Sequence, residues 1–245
     1  DFFAAGGMGA VLRELKPLLN LDTLDVEGRT MEQRLDEPLD FVDRKVIHTL
    51  AAPVSAVGGL VALTGSLAPL GAILKRAAAT ESLFEIEGRA VVFENLEDLA
   101  TRIDDPALDV MPSDVLVLKN AGPRAAAMPE AGYLPIPKKL AQQGVKDMVR
   151  ISDARMSGTA FGTVVLHVTP ESAVGGPLAA VRNGDRIRLS VKDRRIDLLV
   201  EADEVARRLS DHQLSPVPER GYAALYQRHV TQADRGCDFD FLMGR

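Results

Sequence analysis

Thiol chemistry is almost absent from this chain, which holds a single cysteine, Cys237. One cysteine excludes an internal disulfide and suits a reducing cytoplasm. It also excludes a metal cluster held by this chain's cysteines alone. Basic blocks are lacking as well, and the net charge is −6. That balance gives no electrostatic footprint for nucleic acid or for an anionic membrane. Long hydrophobic runs are missing too. The most apolar stretch, residues 49–74, is crowded with Gly, Ala and Pro and broken by Ser and Thr. Such a composition describes a buried, loop-rich segment and not a membrane span. There is no signal-type hydrophobic start and no phosphate loop. The near miss GGMGA at 6–10 falls inside an expected helix, not after a strand, so it is no dinucleotide fingerprint. The four histidines (His48, His167, His212 and His229) show no ligand spacing such as i, i+4. Internal repeats and low-complexity tracts are absent.

What is present is ordinary globular material: 245 residues, 46% hydrophobic and 26% charged, enough for one large or two small domains. The chain opens on Asp1-Phe2-Phe3, almost at a helix start, which reads as a fragment whose N-terminal part is missing. Leu12, Leu15, Leu18 and Leu19 predict a helix over 3–19, and a short second helix is expected near 31–35. Residues 1–45 thus form a helical region, 46–71 a Gly-rich connection, and 72–245 a second, β-rich domain. Strands are expected at 72–75, 84–93, 115–119, 147–151, 163–168, 185–191 and 195–201. The last two flank Lys192-Asp193-Arg194 at hairpin spacing. Helices are expected at 96–103, 135–143, 202–209 and 221–233. The fold class is α+β, a mainly β, barrel-type C-terminal domain decorated by helices.

Four clusters carry candidate chemistry. In VVFEN, Glu94 follows an apolar strand, where a carboxylate suits a hard cation such as Mg²⁺; a helix-capping or solvated Glu is the alternative. In KNAGPRAAAMPEAGYLPIPKKL, residues 119–140, Asn120, Pro129 and Glu130 lie on a long Pro-punctuated loop, either functional or a rigid connector. The segment ISDARMSGTAFGTVVLH, 151–167, sets Ser157 and Thr159 about Gly158 between two apolar runs, with Asp153 and Arg155 upstream. It either reverses the chain or presents a reactive hydroxyl, which a neighbouring cation, Arg155 or a metal, would activate. In GCDFDFLMG, Phe239 and Phe241 at period two read as packing residues of a docked tail.

Together with DFFAAGGMGAVLREL, LAPLGAILK and GGPLAAVRNGD, these segments resemble, in order along nearly the whole chain, the dihydroxy-acid and aldonate dehydratase family. These are iron–sulfur hydro-lyases that include 6-phosphogluconate dehydratase. The SDARMSGTAFG form is similar to the sugar-acid branch, whereas the dihydroxy-acid branch reads closer to SDGRFSGG. The resemblance implies a swivelling C-terminal domain preceded by a helical remnant of an N-terminal α/β cofactor domain. It implies Ser157 as the base that, as an alkoxide near Mg²⁺, takes the C2 proton of a sugar acid. Thr159 would be its helper and Glu94 a Mg²⁺ ligand. The substrate-loop candidates are Asn120, Arg155, Pro129 and Glu130. A 2Fe-2S or 4Fe-4S cluster would act on the departing C3 hydroxyl, and the product would be a 2-keto-3-deoxy acid. A cytoplasmic homodimer or homotetramer is implied, with no nucleic-acid or membrane partner. Both cofactors are expected only with the missing domain, so the fragment alone is expected to be inactive. RAAAMPE stands where a more Gly-rich form is expected. Two other readings stay open: a dihydroxy-acid dehydratase of branched-chain amino-acid biosynthesis, and a non-catalytic binding or assembly module.

Overall fold

The computed structural model describes residues 1–128, 132–156, 161–213 and 216–243. The chain divides into two compact units, Asp1–Gly58 and Gly59–Arg245. In the first, helix α1 (Gly7–Glu14) contributes Ala10 to a small core with Ala5 and Ile47, and helix α2 (Met31–Leu35) follows. The helix expected over 3–19 stops at Glu14, and Lys16–Leu18 tighten to a 3-10 turn around Pro17, whose ring fits only the start of a helical turn. Helix α2 starts at a capping box: the Thr30 hydroxyl accepts from the Gln33 N–H, and the Gln33 side chain accepts from the Thr30 N–H.

The second unit is built on one eight-stranded mixed sheet. Its strands are β1 (Val61–Leu63), β2 (Gly71–Leu74), β3 (Glu85–Phe93), β4 (Val115–Leu118), β5 (Arg150–Ser152), β6 (Val164–Thr169), β7 (Arg186–Ser190) and β8 (Arg195–Leu198). Their order is β1-β2-β6-β5-β4-β3-β7-β8. The central pairs β6/β5, β5/β4 and β4/β3 are parallel and the outer pairs antiparallel. The two outermost strands meet where Thr64 bridges Arg195, so the sheet nearly closes on itself. The strand β1 lies within the 46–71 stretch read as a connection, and the hairpin β7–β8 forms where its spacing predicts it.

Parallel strands need crossovers. Helix α3 (Leu96–Arg102) joins β3 to β4; helix α4 (Pro123–Ala126) and helix α5 (Lys138–Gln142) lie between β4 and β5. Helix α6 (Ala202–Ser210) and helix α7 (Tyr222–His229) follow β8. The short α4 was not among the expected helices, and α5 begins three residues later than 135–143 implies, after Pro137. Strands β3 and β4 are apolar at successive positions because both faces are covered. Ala90, Val92, Val115 and Val117 belong to the inner core with Leu63, Ile187 and Ile196. Val91, Phe93, Leu116 and Leu118 pack outward under Leu99 of α3 and Leu140 of α5. Because β5 and β6 run parallel, the 153–163 segment is a crossover and not a hairpin reversal, which removes the chain-reversing reading of that turn.

Candidate functional site

Four neighbouring parallel strands deliver their C-terminal ends to one edge of the sheet, the edge at which open α/β sheets characteristically bind ligands. Each end carries polar residues: Glu94 after β3, Lys119 and Asn120 after β4, Asp153 after β5, and Glu171 just beyond β6. Of the residues singled out from sequence, the structure brings Glu94, Asn120 and Arg155 to the loops of this edge. Ser157, Thr159, Pro129 and Glu130 lie outside the described residues.

Glu94 is 63% exposed, and the ammonium of the buried Lys119 sits 3.2 and 3.3 Å from its two oxygens. The helix-capping alternative for Glu94 is taken by its neighbours. The Asn95 side chain accepts from the Asp98 N–H, and Asp98 accepts from the Glu94 N–H. Asn120 adopts φ +52, the left-handed region asparagine tolerates, and its Nδ2 donates to the Glu94 carbonyl at 3.0 Å. Its amide thereby pins the end of β4 to the end of β3. Arg155 reaches the C-terminal tail instead, with Nη1 3.5 Å from the Gly236 carbonyl.

Two buried carboxylates organise the surroundings. Asp153 accepts the Ala121 N–H at 3.0 Å and the Ser172 N–H at 2.8 Å. Burial pushes its carboxyl above the usual range despite these donors. Glu171 accepts from the Arg124 and Ala125 N–H groups and from Gln232 Nε2. Burial raises it as well, and the Asp153 charge adds to the effect. His167 sits at φ +58, and burial, aided by the Arg155 charge, lowers its imidazole below the ordinary value.

The far end of the 153–163 crossover is anchored separately. Asp147 accepts from Thr80 Oγ1, the Met148 N–H, Arg150 Nη2, and both the N–H and Oγ1 of Thr163. Arg150 also donates to the Phe161 carbonyl at 2.6 Å. The described residues on either side, Asp153 and Thr163, are thus each held by hydrogen bonds. Lys119, Glu171 and Gln232 were not singled out from sequence. Lys119 alone left a trace, as a charge closing the apolar run VLVL.

No group of three or more His, Cys, Asp or Glu that could hold a metal exists among the described residues. Glu94 fits a hard cation as one exposed carboxylate ligand, with further ligands required from elsewhere. An iron–sulfur cluster does not fit. Cys237 stands alone, half-buried at φ +54, and burial pushes its thiol up, away from the thiolate a cluster needs. The tail around it docks through aromatics, with Tyr226 edge-on to Phe239 at 5.5 Å and Phe239 stacked on Phe241 at 5.1 Å.

Residues 45–237 match the family model described as dihydroxy-acid/6-phosphogluconate dehydratase, C-terminal. The chain is 52% identical over its full length to an L-arabonate dehydratase of Azospirillum brasilense, of which it covers 44%. It is 48% identical, over 99% of its length and 42% of the relative, to a 6-deoxy-6-sulfo-D-gluconate dehydratase of Pseudomonas putida. A dihydroxy-acid dehydratase of Acidothermus cellulolyticus is 41% identical over 96% of the chain and 42% of the relative. The chain therefore spans less than half the length of these curated relatives.

Proposed function

The chain belongs to the dihydroxy-acid/6-phosphogluconate dehydratase family, and we propose that it forms the C-terminal part of a hydro-lyase that dehydrates a sugar acid to a 2-keto-3-deoxy acid. The observation carrying the sugar-acid branch is the gradient of identity, 52% to the L-arabonate enzyme against 41% to the dihydroxy-acid enzyme. The convergence of Glu94, Asn120 and the 153–155 turn at one sheet edge supports placing the site there.

In this reading Ser157 accepts the C2 proton of the aldonate, and Thr159 donates a hydrogen bond that orients it. Arg155, two residues upstream, supplies positive charge that lowers the cost of an ionised Ser157. The C2–H electron pair forms the C2=C3 double bond as the C3–O bond breaks, the departing hydroxide takes up a proton and leaves as water, and the resulting enol tautomerises to the 2-keto acid. Glu94 would hold Mg²⁺ by one carboxylate, and the ion would stabilise negative charge developing on the substrate carboxylate. The ligands of an iron–sulfur cluster are placed outside this chain. The whole enzyme is proposed to be a cytoplasmic homodimer or homotetramer.

The test is a substrate profile of the enzyme that carries this chain, scored as 2-keto acid formed. L-Arabonate is expected to exceed a 2,3-dihydroxy acid with a short branched tail by about 10⁴-fold in kcat/KM, because a site built to bind the polyol leaves polar groups unpaired on the branched acid. Ser157→Ala should lower kcat by about 10³-fold. Preference for the branched acid, or an active Ser157→Ala variant, refutes the assignment.

A further inference from the structure

We propose that Glu171 is a positioning residue of this site: its carboxylate gathers the first turn of α4 and the Gln232 side chain, fixing the segment of Asn120 against the segment of Arg155 and the C-terminal tail. The inference rests on the proposed function for its catalytic meaning, but its structural content stands on contacts.

Both oxygens of this carboxylate face donors, three in all. Oε1 receives Gln232 Nε2 at 2.8 Å and shares the Arg124 N–H, at 3.1 Å, with Oε2 at 3.2 Å. Oε2 also faces the Ala125 N–H at 3.4 Å. The Glu171 N–H returns a bond to Gln232 Oε1 at 2.9 Å, so the two side chains and one backbone group form a closed pair. Three chain segments far apart in sequence thus meet on one side chain: the loop opening with Asn120, the exit of β6, and the tail after α7.

Gly122 is an independent sign of the same contact. Its φ of −69 is open to any residue, yet a Cβ there would overlap the Glu171 carboxylate. Glycine is needed for close approach and not for backbone freedom. Asp153 doubles the link, since it bonds Ala121 and Ser172, the immediate neighbours of Gly122 and Glu171. The tail is drawn in through Gln232, whose carbonyl accepts the Cys237 N–H, and Arg155 reaches the adjacent Gly236. A carboxylate suits this hub because it only accepts. Glutamine, nearly isosteric, would turn its NH₂ toward either Gln232 Nε2 or the α4 N–H groups, donor against donor.

The test is amide hydrogen exchange on the full chain, with kinetics on the enzyme that carries it. In Glu171→Gln, exchange in 121–127 and 231–237 should accelerate about tenfold or more, while β4 and β7 keep their protection. The double variant Glu171→Gln/Gln232→Glu restores complementarity, with amide at 171 and carboxylate at 232, and should recover protection in both segments. In the active enzyme, kcat should fall at least as far as exchange rises in Glu171→Gln and recover in the double variant. Unchanged exchange, loss spread through β4 and β7, failure of the double variant to rescue, or unaffected kcat in an active enzyme each overturns the proposal. An enzyme inactive on every sugar acid overturns the proposed function instead and leaves the exchange result to judge the hub.

Discussion

Asp147 shows most directly how single residues hold this site in place. Burial works against its charge, but the Thr163 N–H and hydroxyl, the Thr80 hydroxyl and Arg150 outweigh burial and bring its carboxyl below the usual range. A lowered carboxyl contributes stability that is present above its unfolded value, about 3.9, and is lost as pH falls through the folded value. Asp147→Asn should therefore cost about 2–3 kcal/mol at neutral pH, because its amide would point at a donor whichever way it turned. Urea midpoints of the two proteins should converge as pH drops below about 4. A gap constant from neutral pH to pH 3 refutes the assignment of that stability to the ionised group. Lys119 shows the same economy in reverse. Its buried side chain sits 3.2 and 3.3 Å from the two Glu94 oxygens, so any cation placed at Glu94, as proposed above, would have to compete with it.

Among the elements, the seam between β1 and β8 decides whether the sheet behaves as a barrel. Thr64 donates to the Arg194 carbonyl and accepts from the Ile196 N–H, both at 3.0 Å. Ser66 continues the seam, its N–H bonding Asp197 and its hydroxyl accepting the Leu198 N–H. Gly65 lies between them with no room for a side chain, since a Cβ would overlap the Ile196 carbonyl. Gly65→Ala should destabilise the second unit by roughly 2–3 kcal/mol, read as a lower urea midpoint together with faster exchange at Thr64 and Ile196. A midpoint like the parent's sinks that account. Strands β2 to β8 were legible because alternating or continuous apolar runs mark them, as in VVF at the end of β3 and VLVL in β4. Strand β1 was not, since its three residues sit in a Gly- and Ala-rich stretch without a period. The parallel direction of β5 and β6 was equally hidden, because an apolar pattern carries no polarity. At the candidate site, the position of Glu94 just after a strand was legible from sequence. Glu171 was not, as its partner Gln232 stands 61 residues away.

At the scale of the whole molecule, chemistry and architecture part company. The second unit has two extensive cores of its own, one inside the sheet around Leu63 and Ile187 and one outside around Phe93 and Leu118. Cores of that extent support folding without a cofactor. Dehydration asks for more. A proton beside a carboxylate is weakly acidic and hydroxide is a poor leaving group, so both charge stabilisation at the carboxylate and assistance at C3 are required. Toward these the described residues at this edge offer the exposed carboxylate of Glu94, already engaged by Lys119, while burial pushes the thiol of Cys237 up. The chain produced alone should therefore fold cooperatively, yet form no 2-keto acid from L-arabonate after anaerobic iron–sulfur reconstitution with Mg²⁺. Adding the remainder of the enzyme as a separate polypeptide should bring turnover back, and Ser157→Ala in this chain should abolish that recovery. Clear turnover by the chain alone would show that the 157–160 segment and Glu94 suffice, and the proposed division of labour would be wrong.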